Sequence, residues 1–252
     1  MKDVLAPPGT RLRLAAGAED TEVDLYSEEG RDLVAALWMK LATEFRLMYE
    51  PTWLGIPIIQ LPADIVAMQE LIWRLRPDFV IETGVAHGGS AILYASVLEL
   101  IGHGQVIGVD IEIRAHNRAA IERHPLAARI QLVEGSSTDR ATFEQVRRRC
   151  GVGSNMLVVL DSNHTTEHVR REMEMYSGLV PPGGYLVTMD AAQAYVSDIP
   201  RGKAEWRNDN PLHAIRDFLD SHPEFEVDPH FTRFLVTSSP EGFLRRQEEE
   251  EK

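Results

Sequence analysis

Between residues 78 and 189 the chain repeats one pattern. An apolar run of four or five residues is followed by a polar, glycine-containing turn, then by ten to fourteen residues whose apolar positions recur at helical spacing. The pattern predicts strands at 78–82, 105–110, 130–134, 156–160 and 185–189. It predicts helices at 88–101, 115–123, 139–150 and 165–177 between them. The breakers fall where this reading needs them, at Gly102-His103-Gly104, at Pro125 and at Pro181-Pro182-Gly183-Gly184. Strands that are apolar throughout and alternate with helices imply an α/β fold with a doubly wound, mostly parallel sheet covered on both faces.

Outside this block the pattern is weaker. Residues 28–48 read as a helix with Leu33, Leu37, Leu41, Phe45 and Met48 on one stripe, which predicts core packing. Pro51, Gly55, Pro57 and Pro62 make 51–62 an irregular connection. Its Trp53, Ile56 and Ile58 fit a cofactor cover, a subunit contact or simple packing equally well. Helices are expected at 63–75 and 211–221, and short strands at 225–228 and 232–237. Residues 1–24 read as a loose arm. The organisation expected is an N-terminal arm and helical extension (1–62), an α/β domain (63–246) and a charged tail (247–252).

Composition narrows the partners. The 252 residues carry 39 acids and 26 Lys and Arg, a formal charge of −13, with 44% hydrophobic residues. Such a chain can build a sizeable core, and its mean field repels nucleic acid and anionic membrane. One cysteine excludes an internal disulfide and a thiolate zinc cluster. The N-terminus has no signal-like apolar run and no stretch approaches a membrane span, so a cytoplasmic protein is expected. The apolar surface of the first helices predicts a homo-oligomer.

The strand ends carry the chemistry. Strand 78–82 ends at Glu82, followed by Thr83-Gly84-Val85-Ala86-His87-Gly88-Gly89-Ser90, and strand 105–110 ends at Asp110. Gly84 permits close backbone approach, the helix start at Gly88-Gly89-Ser90 offers free N–H groups, and Asp110 is placed for ribose hydroxyls. Ser136 and Asp139, after strand 130–134, are candidates for the adenine edge. His87 fits a cofactor or substrate contact, or a turn without chemistry. The dinucleotide fingerprint is incomplete, because its middle glycine is replaced by Ala86. A carboxylate before the turn suits a ligand amine better than a pyrophosphate. S-adenosylmethionine, with an amine, a carboxylate and a ribose diol, is the expected cofactor.

A second constellation is Leu160-Asp161-Ser162-Asn163-His164, with Asp190 closing strand 185–189. Asp161 and Asp190 should converge over one sheet edge and hold Mg²⁺, unless they are solvated strand-end acids or helix caps. A hard cation suits methyl transfer to a hydroxyl. His164 is the candidate general base, with a substrate contact or a structural role as alternatives. A zinc site of Asp161, His164 and His168 is the weaker reading. In the polar segment 191–209, Arg201, Lys203, Trp206 and Arg207 are candidates for a sugar or diphosphate, or a plain solvent loop.

Taken with Tyr176-Ser177-Gly178-Leu179-Val180, Gly183-Gly184-Tyr185-Leu186-Val187, Asn210-Pro211, Phe218-Leu219 and Thr237-Ser238-Ser239-Pro240-Glu241-Gly242-Phe243-Leu244-Arg245-Arg246, these motifs resemble the family of cephalosporin hydroxylase-like proteins and rhamnosyl O-methyltransferases over about residues 50–246. The resemblance implies a Rossmann-like class I methyltransferase fold. Glu82, Gly84, Ser90 and Asp110 would be cofactor contacts, and Asp161 and Asp190 metal ligands. It implies O-methylation of a deoxysugar, in the finest form the 3'-hydroxyl of a TDP-rhamnose-type nucleotide sugar in natural-product biosynthesis. A polyketide or phenolic acceptor and a non-catalytic binding protein are the alternatives. Related enzymes often carry a Glu-Asp pair where this chain has Met189-Asp190, which removes one possible carboxylate ligand.

Overall fold

A computed structural model describes residues 9–16, 19–151 and 153–248. Residues 1–8 and 249–252, which hold the start of the expected arm and most of the expected tail, lie outside the described residues. A hairpin of β1 (Arg11–Ala16) and β2 (Glu19–Asp24) comes first, then helix α1 (Glu28–Glu44) and a small ladder of β3 (Thr52–Trp53) and β4 (Ile56–Pro57). The α/β block follows as α2 (Pro62–Leu75), β5 (Phe79–Thr83), α3 (Gly89–Ile101), β6 (Gln105–Asp110), α4 (Ala115–Arg123), β7 (Ile130–Glu134), α5 (Arg140–Arg149), β8 (Met156–Leu160), α6 (Thr166–Tyr176) and β9 (Tyr185–Thr188). It closes with α7 (Pro211–Ser221), β10 (Phe225–Val227) and β11 (Phe243–Arg246).

Among the described residues the main sheet has seven strands in the order β10-β11-β9-β8-β5-β6-β7. The five strands from β9 to β7 are parallel, and β11 and β10 pair antiparallel at one edge. The chain runs outward from β5 through β6 to β7, then returns to place β8 on the other side of β5. That reversal puts a crevice at the C-terminal ends of β5 and β8, where ligands bind in open α/β sheets. One apolar cluster packs α2 and α3 against one face. A second, built on Met173, Ile215 and Phe218, packs α6 and α7 against the other.

Three expectations change. Arg11–Ala16 and Glu19–Asp24 pair antiparallel rather than forming a loose arm, with Val23 buried. The α1 stripe does not pack into the core: Gly30 and Ala42 are its buried residues, while Leu37, Leu41 and Phe45 are exposed, Phe45 by 67%. Helical spacing reports one apolar face but not whether anything covers it. The last strand is at Phe243–Arg246 and not at 232–237. Leu235 takes a left-handed backbone (φ 74°), and Asp64 captures Thr237 and Ser238 by hydrogen bonds, whereas Phe243 and Leu244 are fully buried beside β9. The expected boundary at residue 62 falls beside continuous packing, since Ile58 and Leu61 are buried and Ile58 belongs to the core cluster under α2 and α3.

Candidate functional site

Three adjoining cavities follow the crevice. The first, about 210 Å³, lies over β6 and β7 and is lined by Asp110, Ser136 and Ser137. It shares Gly84 and Ser162 with the second, about 180 Å³, which is lined by the glycine turn, His87, Ser90 and Asp161. The second shares Tyr49, Ile59, Gln60, His164 and Asp190 with the third, about 340 Å³, which opens between α1 and the segment after β9.

The turn after β5 is held from two sides. The Asp110 carboxylate accepts from the backbone N–H of Val85 at 2.8 Å and of Ala86 at 3.2 Å, so it fixes the turn as well as lining the first cavity. Gly84 has φ 90°, and a Cβ there would overlap the Asp161 carbonyl oxygen. Glycine is thus required by the packing of β5 against the β8 turn, and not only by ligand approach. Glu82 is fully buried and lines none of the three cavities. Burial pushes its carboxyl up to about 8, although the neighbouring Ser90 and Tyr94 hydroxyls pull it back. Neither of its oxygens has a hydrogen-bond partner of normal geometry.

The first cavity gathers polar groups that sequence reasoning did not assign to the cofactor. The His168 Nε2 lies 3.2 Å from the Ser137 hydroxyl and 3.1 Å from that of Ser162, and Ser162 donates to the buried Glu172 at 2.7 Å. This removes the zinc reading, because His168 turns toward the first cavity while Asp161, His164 and Asp190 cluster apart from it. Asp139 is also away from the cavity: it caps α5, accepting from the backbone N–H of Thr142 at 3.1 Å, and is exposed.

At the junction of the second and third cavities one donor atom from each of Asp161, His164 and Asp190 lies within 4.8 Å of the others. The His164 Nε2 is 3.5 Å from an Asp190 oxygen. Burial first, then the charges of Asp190, Glu82, Glu172 and Asp64, raises the Asp161 carboxyl well above the usual carboxylate range. Two hard oxygen donors and an imidazole, with no lysine or arginine ion pair among the described residues, fit a divalent cation. Asp190 sits in a left-handed backbone (φ 58°) that turns it out of β9. Met189 instead enters the core, where the Ser239 hydroxyl meets its sulfur at 3.4 Å. Position 189 therefore faces away from the cluster.

The third cavity has a mixed wall of Met39, Met48, Leu61, Val196 and Trp206, with Arg46 and Arg201 as its cations. The Arg201 backbone N–H bonds Glu44 of α1, and Arg46 lies 4.2 Å over the Tyr49 ring. Arg207 and Lys203 are exposed and outside this lining. Trp53 is directed elsewhere, with its indole N–H on Ser96 of α3. The α1 end and Gln60 were not legible as site residues. The surplus of apolar residues at 51–62 was the one signal that this segment covers something.

The model of the rhamnosyl O-methyltransferase/CmcI family matches residues 45–247. The chain belongs to the rhamnosyl O-methyltransferase/CmcI family. It is 33% identical over 199 residues to a rhamnosyl O-methyltransferase of Mycobacterium tuberculosis (strain ATCC 25618 / H37Rv), covering 77% of this chain and 78% of that protein. It is 33% identical over 200 residues to the one of Mycobacterium leprae (strain TN), covering 78% and 83%. Among solved structures, a form of CmcI with Mg and S-adenosylmethionine is similar at TM-score 0.58 and 21% identity, covering 79% of this chain and 77% of that one. The MycE methyltransferase of mycinamycin biosynthesis, with Mg, S-adenosylhomocysteine and mycinamycin VI, is similar at TM-score 0.50 and 21% identity, covering 74% and 49%. These likenesses show the class I methyltransferase fold. Family membership makes the chain an O-methyltransferase of the rhamnosyl and sugar type.

Proposed function

We propose that this chain is a Mg²⁺-dependent, S-adenosylmethionine-dependent methyltransferase acting on a hydroxyl of a deoxysugar. The observation that carries this reading is the continuity of the three cavities, with the Asp161–His164–Asp190 cluster at the point where the second opens into the third. Asp110, Ser136 and Ser162 would hold the adenosine part, and the glycine turn and Ser90 the amino-acid part. When bound, the cofactor supplies an electrophilic methyl group and the cation lowers the pKa of an acceptor hydroxyl.

The chain's own residues do the rest. Asp161 and Asp190 would hold the cation, and the packed turn and the α1 wall would exclude water and orient the acceptor. His164 removes the hydroxyl proton as the methyl group transfers. The same cluster favours a second reading, in which His164 is the third donor to the cation. Replacing His164 by Ala separates the two. A general base leaves half-saturation by Mg²⁺ unchanged and alters the pH profile; a ligand raises the Mg²⁺ requirement.

Among acceptors we favour the 3'-hydroxyl of a TDP-rhamnose-type nucleotide sugar in natural-product biosynthesis. Arg46 and Arg201 in the wall support an anionic acceptor, and Trp206 offers a ring for a base. The placement of Trp53 away from this cavity weakens a phenolic or polyketide acceptor. Incubation with methyl-labelled cofactor, Mg²⁺ and a panel of deoxysugar nucleotides and finished glycosides tests the assignment. Label in the nucleotide sugar is expected, label only in glycosides would move the assignment to them, and no transfer to any sugar would sink it. The exposed Leu37, Leu41 and Phe45 support self-association in solution, and light scattering showing only a 28 kDa species would reject it.

A further inference from the structure

Gln60 occupies the junction of the second and third cavities and lines both, yet it is only 3% exposed. Its amide nitrogen meets the Tyr94 hydroxyl at 3.4 Å, and its Oε1 is shielded from solvent with no partner in the protein. A buried amide carbonyl left unpaired is costly, so a lining residue in this state calls for a donor from a ligand. The amide orientation follows from its neighbour. Tyr94 stands beside the Glu82 carboxyl, toward which its hydroxyl hydrogen can turn, and its phenol oxygen accepts from the Gln60 amide nitrogen. The amide nitrogen is therefore spoken for, and the carbonyl is the free end.

The charge around this junction indicates what kind of donor. Asp190, Glu82, Glu172 and Asp64 are each close enough to act on Asp161, and among the described residues no lysine or arginine ion pair reaches any of them. A cation at Asp161 and Asp190 answers one side of this field. The Glu82 side, across Tyr94 and Gln60, has no counter-ion from the chain. Glu82 itself is sealed below the cavity floor, so the group closer to a ligand there is the Gln60 carbonyl.

Building on the cofactor reading above, we propose that Gln60 Oε1 accepts a hydrogen bond from the α-ammonium group of the cofactor's amino-acid part. Tyr94 holds the amide in register, and a cationic group beside it would favour ionisation of the buried Glu82. This role replaces the direct Glu82–amine contact that the strand-end pattern suggested.

Two ligands differing in the amine test it by titration calorimetry on the full chain, without turnover. S-Adenosylhomocysteine carries the ammonium group, and 5'-methylthioadenosine has the same nucleoside without the amino-acid part. Gln60→Met keeps the length and removes the carbonyl. It should weaken S-adenosylhomocysteine binding about tenfold, the loss of one hydrogen bond to a charged group, and leave 5'-methylthioadenosine binding unchanged. Gln60→Glu retains an acceptor and should bind S-adenosylhomocysteine at least as tightly as the parent. If Gln60→Met weakens both ligands equally, or neither, while the parent binds both, the assignment of Gln60 is overturned and the cofactor reading stands. If the parent binds neither ligand, the cofactor reading fails, and with it this proposal. Should Gln60→Met fail to fold, weakened S-adenosylhomocysteine binding by Gln60→Glu overturns the assignment, and binding retained by that variant supports it.

Discussion

The two halves of the crevice are built on different principles. The half over β5, β6 and β7 is made from strand ends and one glycine turn. Its groups are fixed by the sheet: Asp110 ties down Val85 and Ala86, and Gly84 fits against the Asp161 carbonyl. The half proposed to receive the acceptor is assembled from remote pieces, the end of α1, the 59–61 segment, the turn after β9 and Ser238. It is held by side-chain links such as the Arg201 backbone on Glu44 and Ser238 on Asp64. A half fixed by the sheet would suit a common cofactor, and an assembled half would let specificity vary without disturbing the sheet.

Substitutions should separate the halves by size and kind of effect. The largest is expected at the cluster between them: Asp161→Ala and Asp190→Ala should each lower kcat by about 10²–10³-fold, as the loss of transition-state charge stabilisation does elsewhere. S-Adenosylhomocysteine affinity should change little, and calorimetry beside initial rates checks both. Gly84→Ala strains a positive φ and collides with backbone, so a loss of about 2–4 kcal/mol is expected, read as a fall in Tm of several degrees together with lost cofactor binding.

Asp64→Ala tests the assembled half. It unties Thr237 and Ser238, and should raise the acceptor KM with a stability loss of about 1–3 kcal/mol, leaving cofactor affinity near normal. Arg201→Ala and Arg46→Ala should act on acceptor KM alone, by about tenfold. If either weakened cofactor binding instead, the two halves would not be separable as described.

The smallest effect is electrostatic. Glu82 has a folded value of about 8 against an ordinary 4.5, so between these values the native state binds more protons than the unfolded chain. Stability of the ligand-free protein should therefore fall as pH rises from about 4.5 to 8 and level off above, and the raised Asp161 and Asp64 carboxyls act in the same direction. Glu82→Gln should flatten part of that slope in Tm measured against pH. An unchanged slope would contradict the shifted carboxyl.

The same division explains what was legible in the sequence. The five parallel strands and their helices are written in apolar runs and breakers, because strands buried on both faces leave little choice of residue. Gly84, Asp110, Asp161 and Asp190 could be placed at the crevice because strand ends have fixed positions once the topology is known, whereas Glu82, at the end of the same β5, lines none of the cavities. The 232–237 strand failed because Thr237 and Ser238 serve a side-chain acceptor, Asp64, that lies 173 residues away from Thr237 along the chain. The α1 stripe failed because spacing cannot show that Leu37, Leu41 and Phe45 lack cover. Gln60 and Arg46 come from irregular backbone with no period to mark them, and Asp139 caps α5, a role that looks like a ligand contact in a short polar run.

The most direct test of the account is the metal dependence of methyl transfer. Labelled cofactor and a TDP-rhamnose-type acceptor would be followed with Mg²⁺ and with chelator, in the parent and in Asp161→Ala. Labelled sugar is expected from the parent with Mg²⁺, and transfer reduced at least a hundredfold by chelator or by the substitution. Equal transfer with Mg²⁺ and with chelator would contradict it.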